Sequence, residues 1–195
     1  MKKKIIIIIL ILNSTLLLGQ PKDYVILRQT ETTKIDTIYG EIAFPKNRMI
    51  TKIKILSNNK KHKYQPKESI GFKYGERYFA SVPYNSKNNV FAERIINGEI
   101  SLYYYDTNPN EYSGVGLVSG LAGEIAKSIT SYFFIKPNTT GGYLRVSHSR
   151  KKAREEISFL FKSNEKIYNQ ILSENFRVWK LPEIVKEFNS TDQVK

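Results

Sequence analysis

Two histidines are the only imidazole groups of the chain, and neither lies in a spacing that is typical of a catalytic or metal-binding site. His62 lies among lysines, whose positive charge repels a metal ion. His148 lies between two serines, where it would act as a general base if Asp106 or Glu99 oriented it. Because the chain has no nucleophile-elbow pattern, we expect His148 to be a capping or surface residue.

The glycine pattern Gly114-x-Gly116-x-x-x-Gly120 is superficially similar to a dinucleotide-binding loop. A loop of that kind opens a helix inside a βαβ unit, and the sequence around these glycines predicts no such unit. Cysteine is absent from the chain, which excludes disulfides, a lipid-anchoring cysteine and thiolate metal sites. We therefore expect no cofactor and no metal.

Two basic clusters give the clearest indication of binding. The first lies in a stretch that has no acidic residue between positions 46 and 67, and the second follows position 144. Such clusters predict an electrostatic docking surface for an anionic lipid or an acidic protein. Lysines that protect a sheet edge from unwanted pairing are the structural alternative. The residues assigned to the docking surface are Lys52, Lys54, Lys60, Lys61, Lys63, Arg150, Lys151 and Lys152.

A glycine-rich segment at 112–131 interleaves glycines with small apolar residues and few charges. Segments of this composition either fill a groove as a flexible connection or contact a membrane or a partner helix. In the second case the contact residues would be Val115, Leu117, Val118 and Leu121.

Residues 1–20 have the order of a secretory signal peptide. Lys2, Lys3 and Lys4 precede an unbroken run of eight Ile and Leu residues, which is too short to span a membrane. We expect cleavage near residue 20, leaving no transmembrane span and a net charge of +10 out of the +13 of the whole chain. Because export leads to the periplasm or the outer membrane, we expect no nucleic-acid partner and an anionic lipid or protein instead.

Residues 23–146 read as a series of short strands. Alternating apolar residues predict strands around Val25, Ile38 and Ile53, and turn residues separate later strands into hairpins. The pair Asn97-Gly98 predicts a two-residue type I′ turn, because that turn requires positive φ at both positions.

After Ser147 the apolar spacing becomes helical, with Ser149, then Ser163 or Asn164, then Pro182 marking three helix starts. Strands followed by helices predict an α+β domain: an antiparallel meander of short strands, with closure into a barrel-like sheet as an alternative, and two or three C-terminal helices. We expect one domain over 21–189 and a flexible tail over 190–195.

A spaced set of short motifs covers most of the chain after residue 20. These motifs lie at Tyr39–Ile42, Tyr64–Phe72, Phe91–Tyr104, Tyr132–Lys136 and Leu181–Asn189. The set resembles an uncharacterised family of exported Bacteroidetes-type envelope proteins. The resemblance implies an envelope location and supplies no catalytic residue.

These observations predict an exported, non-enzymatic envelope module that binds a protein or an anionic surface. A hydrolase of envelope glycan or lipid is the alternative, with carboxylates or the His148 region as acid and base. The sequence leaves the oligomeric state open.

Overall fold

A computed structural model describes residues 23–28, 35–45, 50–107, 131–139 and 141–191. The predicted signal peptide at 1–20 lies outside these residues, as do nearly all of the glycine-rich segment and the last four residues. The described strands are β1 (Asp23–Leu27), β2 (Asp36–Ala43), β3 (Ile53–Ser57), β4 (Lys60–Tyr64), β5 (Ser69–Tyr74), β6 (Arg77–Pro83), β7 (Asn89–Ile96), β8 (Ile100–Asp106), β9 (Ser131–Pro137) and β10 (Leu144–Arg145). The described helices are α1 (Arg150–Ile157), α2 (Glu165–Leu172) and α3 (Leu181–Thr191).

All ten strands belong to one antiparallel sheet with the order β10-β9-β8-β7-β6-β5-β1-β2-β3-β4. Strands β5 to β10 form a meander, β1 pairs with β5, and β2 to β4 continue the sheet beyond β1. The predicted α+β meander with C-terminal helices is confirmed, and the sheet is open, with β10 and β4 as its edges. Helix α3 continues to Thr191, two residues beyond the predicted end of the domain.

The three helices cover one face of β8 and β9. The inward positions of α1, α2 and α3 pack on Leu102, Phe133 and Ile135, all of which are at most 5 % exposed. Each such side chain contributes about 1.5–3 kcal/mol when it is fully buried. Asn164 caps α2, because its side-chain oxygen accepts a hydrogen bond from the backbone N–H of Ile167.

A second core lies on the same face of the sheet, under strands β2 and β3. Ile42, Ile53 and Ile55 pack there with Phe72 and Phe79, whose rings stack across β5 and β6 with centroids 4.6 Å apart. Strand β2 changes partners in its middle, since residues 36–40 pair with β1 and residues 41–43 pair with β3. The β3–β4 hairpin is therefore held by a continuous core rather than by its turn alone.

An ion pair lies beside the second core. Both Nε and Nη2 of Arg77 donate to the carboxylate of Glu93 at 2.6 Å, and the guanidinium lies over the rings of Phe44 and Phe79. Glu93 is directly opposite Phe79 on one side and Tyr104 on the other. Because Tyr104 packs against the helix-covered core, this pair links the two cores across the sheet.

The opposite face of β6 to β9 carries a cluster rich in tyrosine. Tyr103 and Tyr105 are buried there, with Tyr78 and Tyr143 packed against them. Mainly through burial, the pKa of Tyr78 and that of Tyr105 are each raised to about 12, and the pKa of Tyr143 is raised as well. The described helices do not contribute to this cluster.

The raised tyrosine pKa values predict a loss of stability at alkaline pH. An unfolded tyrosine ionises with a pKa of about 10, so above that pH the unfolded chain loses protons that the folded chain retains. We expect the free energy of unfolding to be constant below pH 10 on this account and to fall from pH 10 to 12. Urea unfolding at pH 9, 10 and 11 measures this, with tyrosinate absorbance followed in parallel. A free energy of unfolding that stays level to pH 11 would contradict it.

The turn chemistry differs from the prediction. Asn58 and Asn59 have φ of 50° and 61°, so the two-residue turn with positive φ at both positions lies between β3 and β4. The predicted type I′ turn at Asn97-Gly98 is wrong: Gly75 is the only glycine with positive φ in the described part of the chain. The β7–β8 hairpin itself is present, but its connection is longer and its register shifts after Arg94.

Candidate functional site

The first basic cluster forms the outer surface of the β3–β4 hairpin. The Asn58-Asn59 turn makes Ser57 and Lys60 a hydrogen-bonded pair, and hydrogen-bonded and non-hydrogen-bonded pairs then alternate along the two strands. Lys54 and Lys63 are consequently a non-hydrogen-bonded pair. In such pairs the Cα atoms are about 4.5 Å apart and the side chains are close together.

Side-chain alternation divides the hairpin into two faces. Ile53, Ile55 and Tyr64 face the second core. Lys54, Lys61 and Lys63 lie on the other side, around Leu56, and we refer to these four residues as the basic face. A groove of about 540 Å³ runs along the basic face and is also lined by Glu41 and Ala43 of β2.

The lysines of the basic face have no ion pair or hydrogen bond from their side chains within the described residues. Lys54 and Lys63 are directly opposite each other, and Lys61 is opposite Leu56, which is 39 % exposed. Like charges directly opposite in a sheet destabilise it. The basic face therefore presents positive charge and a small apolar surface to solvent, and Glu41, directly opposite Leu56 in β2, lines the same groove without a described ion pair to these lysines.

The structure separates two other predicted residues from the basic face. Lys60 is exposed but lies on the opposite side of β4, because it is one position out of phase with Lys61 and Lys63. Lys52 is exposed and precedes β3. The sequence prediction grouped five lysines; strand alternation removes Lys60, and Lys52 lies outside the paired residues of the hairpin.

The second basic cluster belongs to the other edge of the sheet, beside β10. Arg150 donates to the carbonyl of Glu174 at 2.9 Å, and Arg154 donates to the carbonyls of Leu172 and Ser173. These carbonyls lie at or just after the C-terminal end of α2, where a cation and a donor are both favourable. Lys152 pairs with Glu156 at 3.8 Å. Only Lys151, which is exposed, has no recorded side-chain partner in the described part, so this cluster mainly holds helices together.

His148 lies in a smaller groove of about 370 Å³ between β9, β10 and α1. Its Nε2 lies 2.6 Å from the carbonyl oxygen of Ser131, so Nε2 carries the proton and donates it. The imidazole stacks on Tyr132 with centroids 4.5 Å apart, and the guanidinium of Arg145 lies over the same phenol ring. Glu156 accepts a hydrogen bond from the backbone N–H of Ser147.

This geometry bears directly on the hydrolase alternative. Asp106 is directly opposite Ser131, whose carbonyl contacts His148, so this acid lies on the strand next to that contact. The imidazole, however, is hydrogen-bonded to a backbone carbonyl, and no hydrogen bond joins it to a serine hydroxyl within the described residues. Glu99 precedes β8, at the strand end remote from Asp106. The observed contacts hold the His148 ring against β9.

Several contacts at these grooves were not foreseen from the sequence. Leu56 lines the groove of the basic face, and Tyr132 and Glu156 line the groove beside His148. Contacts between residues distant in the chain place them there. The proposed contact residues Val115, Leu117, Val118 and Leu121 lie outside the described residues. Among those described, no group of three or more His, Cys, Asp or Glu residues is arranged to hold a metal ion. Likewise, the described helices include none that is long and apolar enough to cross a membrane.

Comparison of the chain with protein-family models, with curated proteins and with solved structures gives no match. The basic face is therefore the feature of this chain from which a function is inferred.

Proposed function

We propose that the protein is an exported, non-enzymatic module of the cell envelope, in the periplasm or at the outer membrane, that binds an anionic partner through the basic face. The observation that carries this proposal is the direct cross-strand pairing of Lys54 and Lys63 on an exposed surface where neither ammonium group has a described acidic partner. The signal-like residues 1–20 and the charge of the remaining chain support the envelope location.

The pairing of Lys54 with Lys63 has a cost in folding free energy. A cross-strand pair of like charges destabilises a sheet, whereas an opposite or aromatic pair at the same position stabilises it. An anion bound over the pair removes the repulsion and gains two charge-assisted contacts at once. Stability lost in the free protein is therefore recovered on binding, as expected of a docking surface.

Binding to anionic vesicles tests the proposal. The chain is exported in a bacterial host and recovered with its N-terminal residue determined by mass spectrometry, which also reports cleavage near residue 20. We expect it to sediment with vesicles of anionic lipid, or to bind poly-L-glutamate, at low ionic strength and to be released as salt rises. Absence of binding to both probes at low ionic strength would overturn the proposal.

A matched pair of triple variants localises the binding. Lys54→Ala, Lys61→Ala and Lys63→Ala together remove the charges of the basic face. Lys162→Ala, Lys180→Ala and Lys186→Ala together remove the same charge from exposed positions beside or within the helices. Only the first triple variant is expected to lose binding, and equal loss in both would indicate non-specific attraction.

Substitution of Lys63 alone is expected to raise the stability of the protein and to weaken its binding of anions. Lys63→Thr removes the like-charge pair with Lys54 and is expected to raise the free energy of unfolding by about 0.2–1 kcal/mol while weakening anion binding. Lys61→Thr is the control, because it removes the same charge opposite Leu56 and is expected to weaken binding without that gain. Chemical denaturation and the vesicle assay measure both effects. A stability loss in Lys63→Thr would argue against repulsion between the two lysines.

A further inference from the structure

Strand β4 is one edge of the sheet, and its backbone is unpaired on the side away from β3. Since Ser57–Lys60, Ile55–His62 and Ile53–Tyr64 are the hydrogen-bonded pairs with β3, the intervening residues of β4 direct their N–H and C=O groups outward. Those residues are Lys61 and Lys63. Neither backbone has a recorded hydrogen bond on that side within the described part of the chain.

The two residues with outward backbone groups also carry two of the three charges of the basic face. In a strand added beside β4, the residues directly opposite Lys61 and Lys63 would exchange both backbone hydrogen bonds with them and place their side chains on the basic face. Acidic residues at these two positions would pair with the lysines. The edge therefore specifies an extended segment with acids at alternate positions.

We propose that β4 accepts an extended acidic segment of a partner protein as an eleventh strand of the sheet. The proposal rests on the proposed function and names its partner class. Backbone hydrogen bonds supply affinity in this mode of recognition, and the side chains on each face supply specificity. The segment's acidic side chains contact Lys61 and Lys63, and its intervening side chains lie on the face of β4 that carries His62 and Tyr64.

Two other occupants fit the edge less well. A second copy of β4 would place lysine against lysine across the new pair, which is unfavourable. Lipid headgroups supply phosphate oxygens that accept hydrogen bonds, but phosphate has no donor for the outward carbonyls of Lys61 and Lys63. A peptide backbone supplies donors and acceptors in the required alternation.

Binding of a labelled peptide of alternating Glu and Val, followed by fluorescence anisotropy at physiological salt, tests the inference. Two modified peptides of equal charge separate strand addition from attraction between charges. N-methylation of the Glu residues blocks the hydrogen bonds to β4, whereas N-methylation of the Val residues leaves that edge of the peptide intact. We expect the first modification to weaken binding at least tenfold and the second to leave it within twofold.

A pair of protein variants tests the same backbone hydrogen bonds by changing the protein instead of the peptide. Lys61→Pro removes the outward N–H and the charge, while Lys61→Ala removes the charge alone. Proline is tolerated here because the Lys61 N–H does not pair with β3. We expect Lys61→Pro to bind the unmodified peptide several-fold more weakly than Lys61→Ala, with folding of both checked by circular dichroism. If the proline variant fails to fold, the N-methylated peptides still test strand addition on the unsubstituted protein.

The outcomes separate this inference from the proposed function. Equal binding of both N-methylated peptides, or binding to anionic vesicles alone, would overturn strand addition and leave anionic docking in place. Failure to bind peptides, vesicles and poly-L-glutamate would overturn both.

Discussion

Replacement of Gly40 by valine is expected to detach the β3–β4 hairpin from the sheet. A Cβ atom at residue 40 would overlap the carbonyl oxygen of Leu56, and the carbonyl carbon of Leu56 would lie only 2.9 Å away. These are backbone atoms of β3, so no side-chain rotation relieves the clash. Strand β2 changes partner from β1 to β3 at this residue, and the close approach of β3 leaves no room for a side chain.

We expect Gly40→Val to lower the free energy of unfolding by about 3 kcal/mol or more, at the upper end of overpacking effects. Anion binding is expected to be lost with it, because the basic face depends on the register between β3 and β4. Chemical denaturation measures the first effect and the vesicle assay the second. Gly141→Val is the control, since among the described residues no atom beyond its chain neighbours lies within 4 Å of a Cβ at Gly141, and a change within about 0.5 kcal/mol is expected there. Similar behaviour of the two variants would contradict this account of Gly40.

Asn189 connects the last helix to the start of β8, and its removal is expected to give the second large effect. Its Oδ1 accepts a hydrogen bond from the N–H of Ile100 at 3.0 Å, and its Nδ2 donates to the carbonyl of the same residue at 2.9 Å. Ile100 is 2 % exposed, and its N–H and C=O point away from β9, because the N–H of Asn138 donates to the carbonyl of Glu99 and makes Ile100 and Pro137 a non-hydrogen-bonded pair. The Asn189 amide thus takes the place of a neighbouring strand.

Asn189→Ala is expected to cost about 2–4 kcal/mol, because it leaves a buried donor and a buried acceptor without a partner and each such group costs about 1–3 kcal/mol. The control is Asn169→Ala in α2, which removes an exposed asparagine from a helix of the same domain. Hydrogen exchange of the Ile100 amide reports the effect locally, and urea denaturation reports it globally. A cost of less than 0.5 kcal/mol, as expected for an ordinary surface site, would show that the two hydrogen bonds between Asn189 and Ile100 contribute little to stability.

The same contact explains why the turn prediction at Asn97-Gly98 was wrong. A Cβ atom at Gly98 would overlap the side-chain amide of Asn189. Glycine is therefore required here for close approach of α3, not for positive φ. The sequence pattern alone does not distinguish these two roles, because Asn189 is 91 residues further along the chain.

For the basic residues, too, the sequence shows one property and the tertiary structure another. The positive charge of both basic clusters, and the absence of acidic residues between positions 46 and 67, were evident from the sequence. The roles of these residues were not evident from the sequence. Arg150 and Arg154 donate to carbonyls at or near the end of α2, and the position of α2 relative to α1 depends on tertiary packing. In the first cluster, strand alternation removes Lys60 from the surface that Lys61 and Lys63 share.

Local periodicity determined much of this protein, because whether a segment becomes a strand or a helix depends mainly on which neighbouring side chains share a face. The strands, the three helices and the α+β class follow from it. Tertiary structure alone decided the order of the strands, the edge position of β4 and the pairing of Lys54 with Lys63, because these depend on contacts between residues distant in the chain. His148 was expected to cap a helix or to lie at the surface, and its contact with the carbonyl of Ser131, on a strand 17 residues earlier, is one that only the tertiary structure shows.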